Sequence, residues 1–402
     1  MKKLFLVVAI IATICLTGCG KVGDKEIKDN FIKEIEGLKA YYMEGTLKLT
    51  NNDDNYEYDV EVSYQKDDNY KVSLVNKAND YEQIILKNKE GVYVITPSLN
   101  KSFKFQSDWP NNNSQSYLLT SVAKDLKDDS AYKFTQKDKD YVFTTKTNYP
   151  NNPKYVKQNI ILDKNFNLKK VEVQDEQDVT YIEFTVKSID KKANFNENEF
   201  SLEEITKDFE VQEDSEKNKN DQNESQNSTT NENYQENETN KNNANNQNNS
   251  TTTQDNETNK ELEKSDNTNE TTNNNSQNNE SNTTETSKVD ENVFPLYLPS
   301  NTSLSDKKVI ETSNGERIIM TFSGDNPFIL VQETVKPSKE LEIIPTYGEP
   351  FMLIDTVGSL TDTSYTWTSN GVEYYIVSDQ MEQTELLEVA KSINVVSAIN
   401  EK

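Results

Sequence analysis

Few side chains in this sequence could take part in covalent or metal chemistry. Its 402 residues include no histidine and two cysteines, Cys15 and Cys19. Without histidine, Ser-His-Asp and Cys-His nucleophilic sites are excluded, and so is the commonest zinc ligand. Asp and Glu together number 69, but none stands in a recognisable catalytic pair. We therefore predict no catalytic residue, no metal site and no cofactor, and the sequence favours a binding protein over an enzyme.

The Cys19 thiol is the group for which the sequence indicates a reaction. Two lysines precede an apolar run over residues 4–16, which has the length of a secretory signal and is too short to span a bilayer. The stretch Leu16-Thr17-Gly18-Cys19 resembles the bacterial lipoprotein signal. That resemblance implies cleavage after residue 18, diacylation of Cys19 with chains such as palmitate, and an anchor on the extracytoplasmic face of the membrane. A plain cleaved signal is the alternative.

Charge limits the class of partner. The net charge of −26 repels nucleic acid and anionic membrane surfaces. Arg317 is the only arginine, so bidentate recognition of phosphate or carboxylate by guanidinium is nearly excluded. We expect no nucleic-acid partner.

Composition divides the chain into four parts. Residues 1–18 form the signal and residues 19–206 a first domain. Residues 207–290 are almost entirely Asn, Thr, Glu, Gln, Ser, Lys and Asp; they can bury nothing, so we predict a disordered linker. Residues 291–402 form a small α+β domain with hairpin turns such as Asn370-Gly371 and a last helix over residues 383–393.

The first domain is predicted to be mainly β. Apolar residues recur at helical spacing from Ile27 to Tyr42. About ten strands with period-2 alternation follow, interrupted by a helical insertion over residues 117–126. This order fits an open antiparallel β-barrel with a helix across its mouth. In the second domain, residues 351–357 are predicted to form one strand.

Three stretches resemble the family of the lipoprotein carrier LolA and its LolA-like relatives: residues 92–103, 159–173 and 180–184. Residues 103–110 and 114–119 look most like the GerS-type sporulation and germination lipoproteins of spore-forming Firmicutes. The resemblance implies an open barrel with a hydrophobic concave face that works by binding. In the GerS-type relatives, the partner is a cell-wall amidase that modifies cortex peptidoglycan.

Two departures from the carrier matter for function. This chain has its own predicted anchor, and its first domain has no arginine, although a cavity arginine is associated with gating in the carrier. We therefore favour a membrane-anchored protein of the forespore or spore envelope that binds a protein partner. The alternatives are a lipid- or lipoprotein-binding chaperone that holds acyl lipid, and an envelope-stress sensor resembling the regulators that hold an anti-sigma factor.

Five aromatic residues are the candidates for binding a ligand or partner: Tyr93, Phe103, Phe105, Trp109 and Tyr117. Large amphipathic rings dominate such surfaces. The alternative is an ordinary core role, which we favour for Phe103 and Phe105 because they share one face of a predicted strand.

Overall fold

The computed structural model describes residues 23–51, 54–207, 209 and 293–399. The predicted signal, Cys19 and nearly all of the predicted linker lie outside these residues. The four-part division of the chain therefore stays a prediction. Among the described residues, no helix combines the length and the apolar character needed to cross a membrane.

In the described part of the first half of the chain, eleven antiparallel strands form one open sheet, as predicted. The chain runs outward from β1 to β6 and then crosses to the far edge. It returns from β7 to β11, which pairs with β1. The strands are β1 (Ala40–Asn51), β2 (Asp54–Gln65), β3 (Asn69–Asn76), β4 (Glu82–Asn88), β5 (Gly91–Thr96), β6 (Lys101–Phe105), β7 (Lys133–Lys137), β8 (Asp140–Lys146), β9 (Lys157–Leu162), β10 (Leu168–Gln174) and β11 (Thr180–Asp190).

Two helices cover one face of this sheet. Helix α1 (Asp24–Gly37) and helix α2 (Leu119–Asp128) bury their apolar stripes in a shared core with alternate residues of the strands. The helical spacing predicted through Tyr42 was wrong at its end, because the helix stops at Gly37 and Tyr42 lies in β1. On the opposite face, the short helix α3 (Leu202–Thr206) covers a smaller apolar cluster.

The C-terminal module, residues 293–399, has its own antiparallel sheet and one helix, as predicted. Helix α4 (Gln383–Ile399) buries Leu386, Leu387, Ala390 and Ile393 against the sheet. The spatial order is β12-β13-β14-β19-β18-β17-β16. These strands are β12 (Thr302–Thr312), β13 (Gly315–Gly324), β14 (Phe328–Thr334), β16 (Glu349–Met352), β17 (Val357–Leu360), β18 (Ser364–Ser369) and β19 (Val372–Val377).

The predicted strand over residues 351–357 was wrong. Strand β16 ends at Met352 and β17 begins at Val357, with Leu353 and Ile354 buried in the loop between them. The run is apolar because it is buried, and not because it is extended throughout.

One strand of the C-terminal module leaves its own sheet and joins the first one. Strand β15 (Glu342–Thr346) pairs in parallel with β6, Glu342 opposite Lys101 and Thr346 opposite Phe105. Counting the described residues, the first sheet therefore has twelve strands, with β15 and β7 at its edges. Residues that lie more than 230 positions apart in the sequence thus meet in one sheet.

Candidate functional site

The structure brings two of the five predicted aromatic residues to one cavity. Trp109 and Tyr117 line it, and both are almost fully buried. Phe105 is buried and Phe103 half-buried on the same face of β6 as predicted, within the core beneath α1 and α2. Tyr93 lies on the opposite face, in the cluster under α3, where the Lys104 ammonium stands 5.2 Å from its ring centroid.

The cavity has a volume of about 250 Å³. It opens where the ends of β1 and β11 meet the loops after β6 and β8. Three tyrosine rings form one wall: Tyr155 stands edge-on to Tyr149 at 5.3 Å and tilted against Tyr181 at 5.6 Å. Such rings offer large amphipathic contact area with little rotamer freedom to lose.

Burial favours the neutral form of three tyrosine hydroxyls at the cavity. Burial raises the pKa of Tyr117, Tyr149 and Tyr155 well above the ordinary tyrosine value. For Tyr117, a hydrogen bond with the Trp109 side chain partly offsets the effect of burial on the pKa. The charged pair at the wall belongs to α4, where Lys391 Nζ lies 3.0 Å from Glu388 Oε1. In the part of the chain that the structure describes, no cluster of acidic or cysteine side chains could hold a metal ion.

The C-terminal module supplies the roof of the cavity. Residues 350–354 and Val357 line it, and Val357 is buried in the core of the first sheet. Tyr58, itself buried, donates its hydroxyl to the carbonyl oxygen of Ile354 at 2.5 Å. The chain itself therefore covers part of the concave face.

Gln83 holds this roof through its side-chain amide. Its Nε2 donates to the Val357 carbonyl at 3.1 Å, while its Oε1 accepts from the Val357 N–H at 2.6 Å. The same oxygen accepts from the Thr356 hydroxyl at 3.1 Å. The amide of Gln83 thus satisfies both backbone groups of Val357, as a neighbouring strand would.

Further contacts follow the segment from Ser338 to Val357, which we call the docking segment. The Asn100 carbonyl accepts from the Glu342 N–H at 3.0 Å, and the Asn100 side chain donates to the Ser338 carbonyl at 3.2 Å. The Glu349 carboxylate accepts hydrogen bonds from Ser107 and, at 2.7 Å, from Asn112. The docking segment is therefore held along its length by the first sheet and its loops.

Sequence reasoning missed Tyr58, Gln83 and Asn100. One signal was available for Gln83, a polar residue that precedes the apolar run Ile84-Ile85-Leu86 in a strand. A buried amide needs partners, but the sequence does not indicate that they lie at Thr356 and Val357.

Asp125, a largely buried carboxyl group of α2, is expected to make the free energy of unfolding of the first sheet depend on pH. Gln158 donates to its carboxylate at 2.7 Å, yet burial dominates and raises the pKa of Asp125 above its ordinary 3.8. A raised carboxyl pKa gives stability that is complete below 3.8 and is lost as the pH rises through the folded-state value.

We expect Asp125→Asn to remove this dependence. In urea titrations, the free energy of unfolding of the variant should increase relative to that of the wild type as the pH rises from about 4 to about 7. The matched control is the same change at the exposed Asp128 of the same helix. Parallel pH profiles for Asp125→Asn and the wild type would contradict the assignment.

No family model matches the chain. A curated relative, "Sporulation protein YdcC" of Bacillus subtilis strain 168, is 31% identical over 402 residues, which cover 98% of each chain. The chain belongs to the YdcC family. This membership confirms the predicted link to sporulation proteins.

Three solved structures match the chain at low sequence identity and low TM-score. A LolA superfamily protein from Nitrosomonas europaea matches at 10% identity and TM-score 0.26, covering 43% of this chain and 97% of its own. The GerS lipoprotein of Clostridioides difficile, solved with the CwlD amidase, matches at 17% identity and TM-score 0.18, covering 44% of this chain and 98% of its own. MucB of Pseudomonas aeruginosa, solved with MucA, matches at 10% identity and TM-score 0.29, covering 91% of this chain and 97% of its own.

Proposed function

We propose that this YdcC-family protein is a lipid-anchored sporulation protein that acts by binding a protein partner at the outer face of the cell membrane. The partner class we propose is a cell-wall amidase of the spore cortex. Cys19 would carry the lipid and place the first sheet near the membrane surface.

One observation favours a protein partner over a bound lipid as the ligand of this protein. The C-terminal module roofs the concave face and leaves a cavity of about 250 Å³. Pockets that enclose a small-molecule ligand usually measure about 300–1,000 Å³, so the cavity is small for a lipid with more than one acyl chain. The contacts that close it are made to polypeptide, chiefly to backbone groups.

The choice of an amidase as the partner is supported by a resemblance in the sequence. Residues 103–110 and 114–119 carry the resemblance to the GerS-type lipoproteins. These stretches contain Trp109 and Tyr117, which line the cavity, and Ser107, whose hydroxyl donates to the Glu349 carboxylate. The resemblance therefore falls on the part of the first sheet that contacts the C-terminal module.

The test is mild cross-linking in sporulating cells, purification of the membrane-anchored protein and mass spectrometry of what accompanies it. We expect a cortex amidase, and we expect it to be lost from the Cys19→Ala control, which cannot be acylated. Bound acyl lipid without a protein partner would overturn the proposal in favour of the chaperone class.

A further inference from the structure

We propose that the edge of β6, together with Asn100, Gln83 and Tyr58, is a binding site for an extended polypeptide segment of the partner, and that the docking segment fills this site until the partner displaces it. This inference rests on the proposed function, because it locates the surface at which a protein partner would bind.

The first argument is that the site contacts backbone. Strand β6 pairs with five residues of β15 through main-chain hydrogen bonds. Asn100, Gln83 and Tyr58 each bond to a carbonyl oxygen, at Ser338, Val357 and Ile354. Main-chain contacts of this kind accept many sequences, which is how sheet edges bind peptides from other proteins.

The second argument is that the site also selects side chains. Ile344 and Thr346 are half-buried on the side of β15 that faces inward. Three residues beyond Thr346, the Glu349 carboxylate accepts from Ser107 and Asn112, and Leu353 and Ile354 are buried after it. The fitting partner segment is therefore a short strand with a β-branched residue, followed by an acidic residue and then an apolar pair.

The third argument is that the docked strand is replaceable. It is five residues long, and its ion pair to β6 is weak, with Lys101 Nζ 3.7 Å from a half-exposed Glu342 carboxylate. Residues 208–292 lie between the two sheets in the sequence, so a displaced module stays attached. Tethering gives the docking segment an effective concentration in the mM range for short linkers and lower for long ones. A partner segment held near β6 at a comparable effective concentration can therefore compete with the docking segment.

The alternation of β15 provides a matched pair of variants. The Glu342 N–H bonds to Asn100, so the N–H groups of Ile344 and Thr346 also face β6, and those of Ile343 and position 345 face away. Position 345 is a proline, which fits because no donor is needed there. Ile344→Pro should release the strand, while Ile343→Pro, one position away on an exposed side chain, should not.

The experiment uses a fluorescent peptide with the sequence of residues 338–357 and the full mature chain in detergent, followed by fluorescence anisotropy. We expect Ile344→Pro to bind the peptide at least about tenfold tighter than the wild type or Ile343→Pro, because the site is then vacant. Adding Gln83→Ala to Ile344→Pro should abolish that gain. Far-UV circular dichroism checks folding, and Glu349→Ala serves as a second releasing variant if Ile344→Pro does not fold.

Two outcomes would overturn the inference. In the first, Ile344→Pro, Ile343→Pro and Glu349→Ala all bind the peptide with the same weak affinity. In the second, the double variant Ile344→Pro with Gln83→Ala binds the peptide as tightly as Ile344→Pro alone. The result is separable from that for the proposed function. If the released variant binds the peptide but no amidase is cross-linked, the binding site at β6 stands and the proposed amidase partner is wrong. If an amidase is cross-linked but no variant binds the peptide more tightly, the partner stands and the binding site is wrong.

Discussion

Replacing Gln83 by alanine should uncouple the unfolding of the two sheets. The change removes three hydrogen bonds and leaves the buried N–H and carbonyl of Val357 without their partner. Each unsatisfied buried group costs about 1–3 kcal/mol, so we expect the two groups together to weaken the contact between the module and the first sheet by about 2–6 kcal/mol. The C-terminal module should then unfold at lower urea than the first sheet.

The two tryptophans make this measurable, because Trp109 lies in the first sheet's core and Trp367 in the module's. Trp→Phe changes at either position leave one fluorophore that reports one sheet. The matched control is Gln158→Ala, which removes another buried glutamine of the first sheet that bonds to Asp125. It should lower stability without separating the two transitions. Coincident transitions at the wild-type midpoint in Gln83→Ala would contradict the role given to this amide.

Trp109→Ala should destabilise the first sheet by about 3–5 kcal/mol, the usual cost of truncating a buried aromatic side chain. Trp109 is 1% exposed, packs edge-on to Tyr70 at 5.8 Å and hydrogen-bonds to Tyr117. Truncation would enlarge the cavity and leave the Tyr117 hydroxyl without its donor. Urea unfolding followed by far-UV circular dichroism gives the free energy.

Trp109→Phe separates packing from recognition. It keeps most of the buried ring and should cost less than the alanine change. If partner recovery from sporulating cells is normal in Trp109→Phe, the residue acts through packing. If Trp109→Ala is as stable as the wild type, the buried ring of Trp109 does not stabilise the first sheet.

Local patterns were enough to predict most of the fold. Period-2 alternation marked the strands on both sides of the first sheet, and the stripe from Leu386 to Ile393 marked the last helix. The pattern failed at Tyr42, which continues the helical spacing of α1 but lies on the half-buried face of β1, opposite the core residues Tyr41 and Met43. It also failed at Leu353 and Ile354, which are buried in a loop.

The site was less predictable because its parts are distant in the sequence. The position of Tyr93 between Val92 and Val94 fixes that their side chains lie on opposite faces, but it does not tell which face is concave. Strand β15 is short and contains Pro345, so no local signal indicates a strand. Its parallel partner lies more than 230 residues earlier, and no periodicity connects positions so far apart.

The two edges of the twelve-stranded sheet have a consequence for solubility. Strand β7 is short and carries Lys133 and Lys137, while β15 places Pro345 on its outer side. Lysine and proline at an edge are the usual protection against strand-by-strand polymerisation. The covered edge, β6, has no proline, and it carries Phe103 and Phe105 beside Lys101 and Lys104. By pairing with it, β15 occupies the main-chain groups through which another copy of the protein could add a strand to β6.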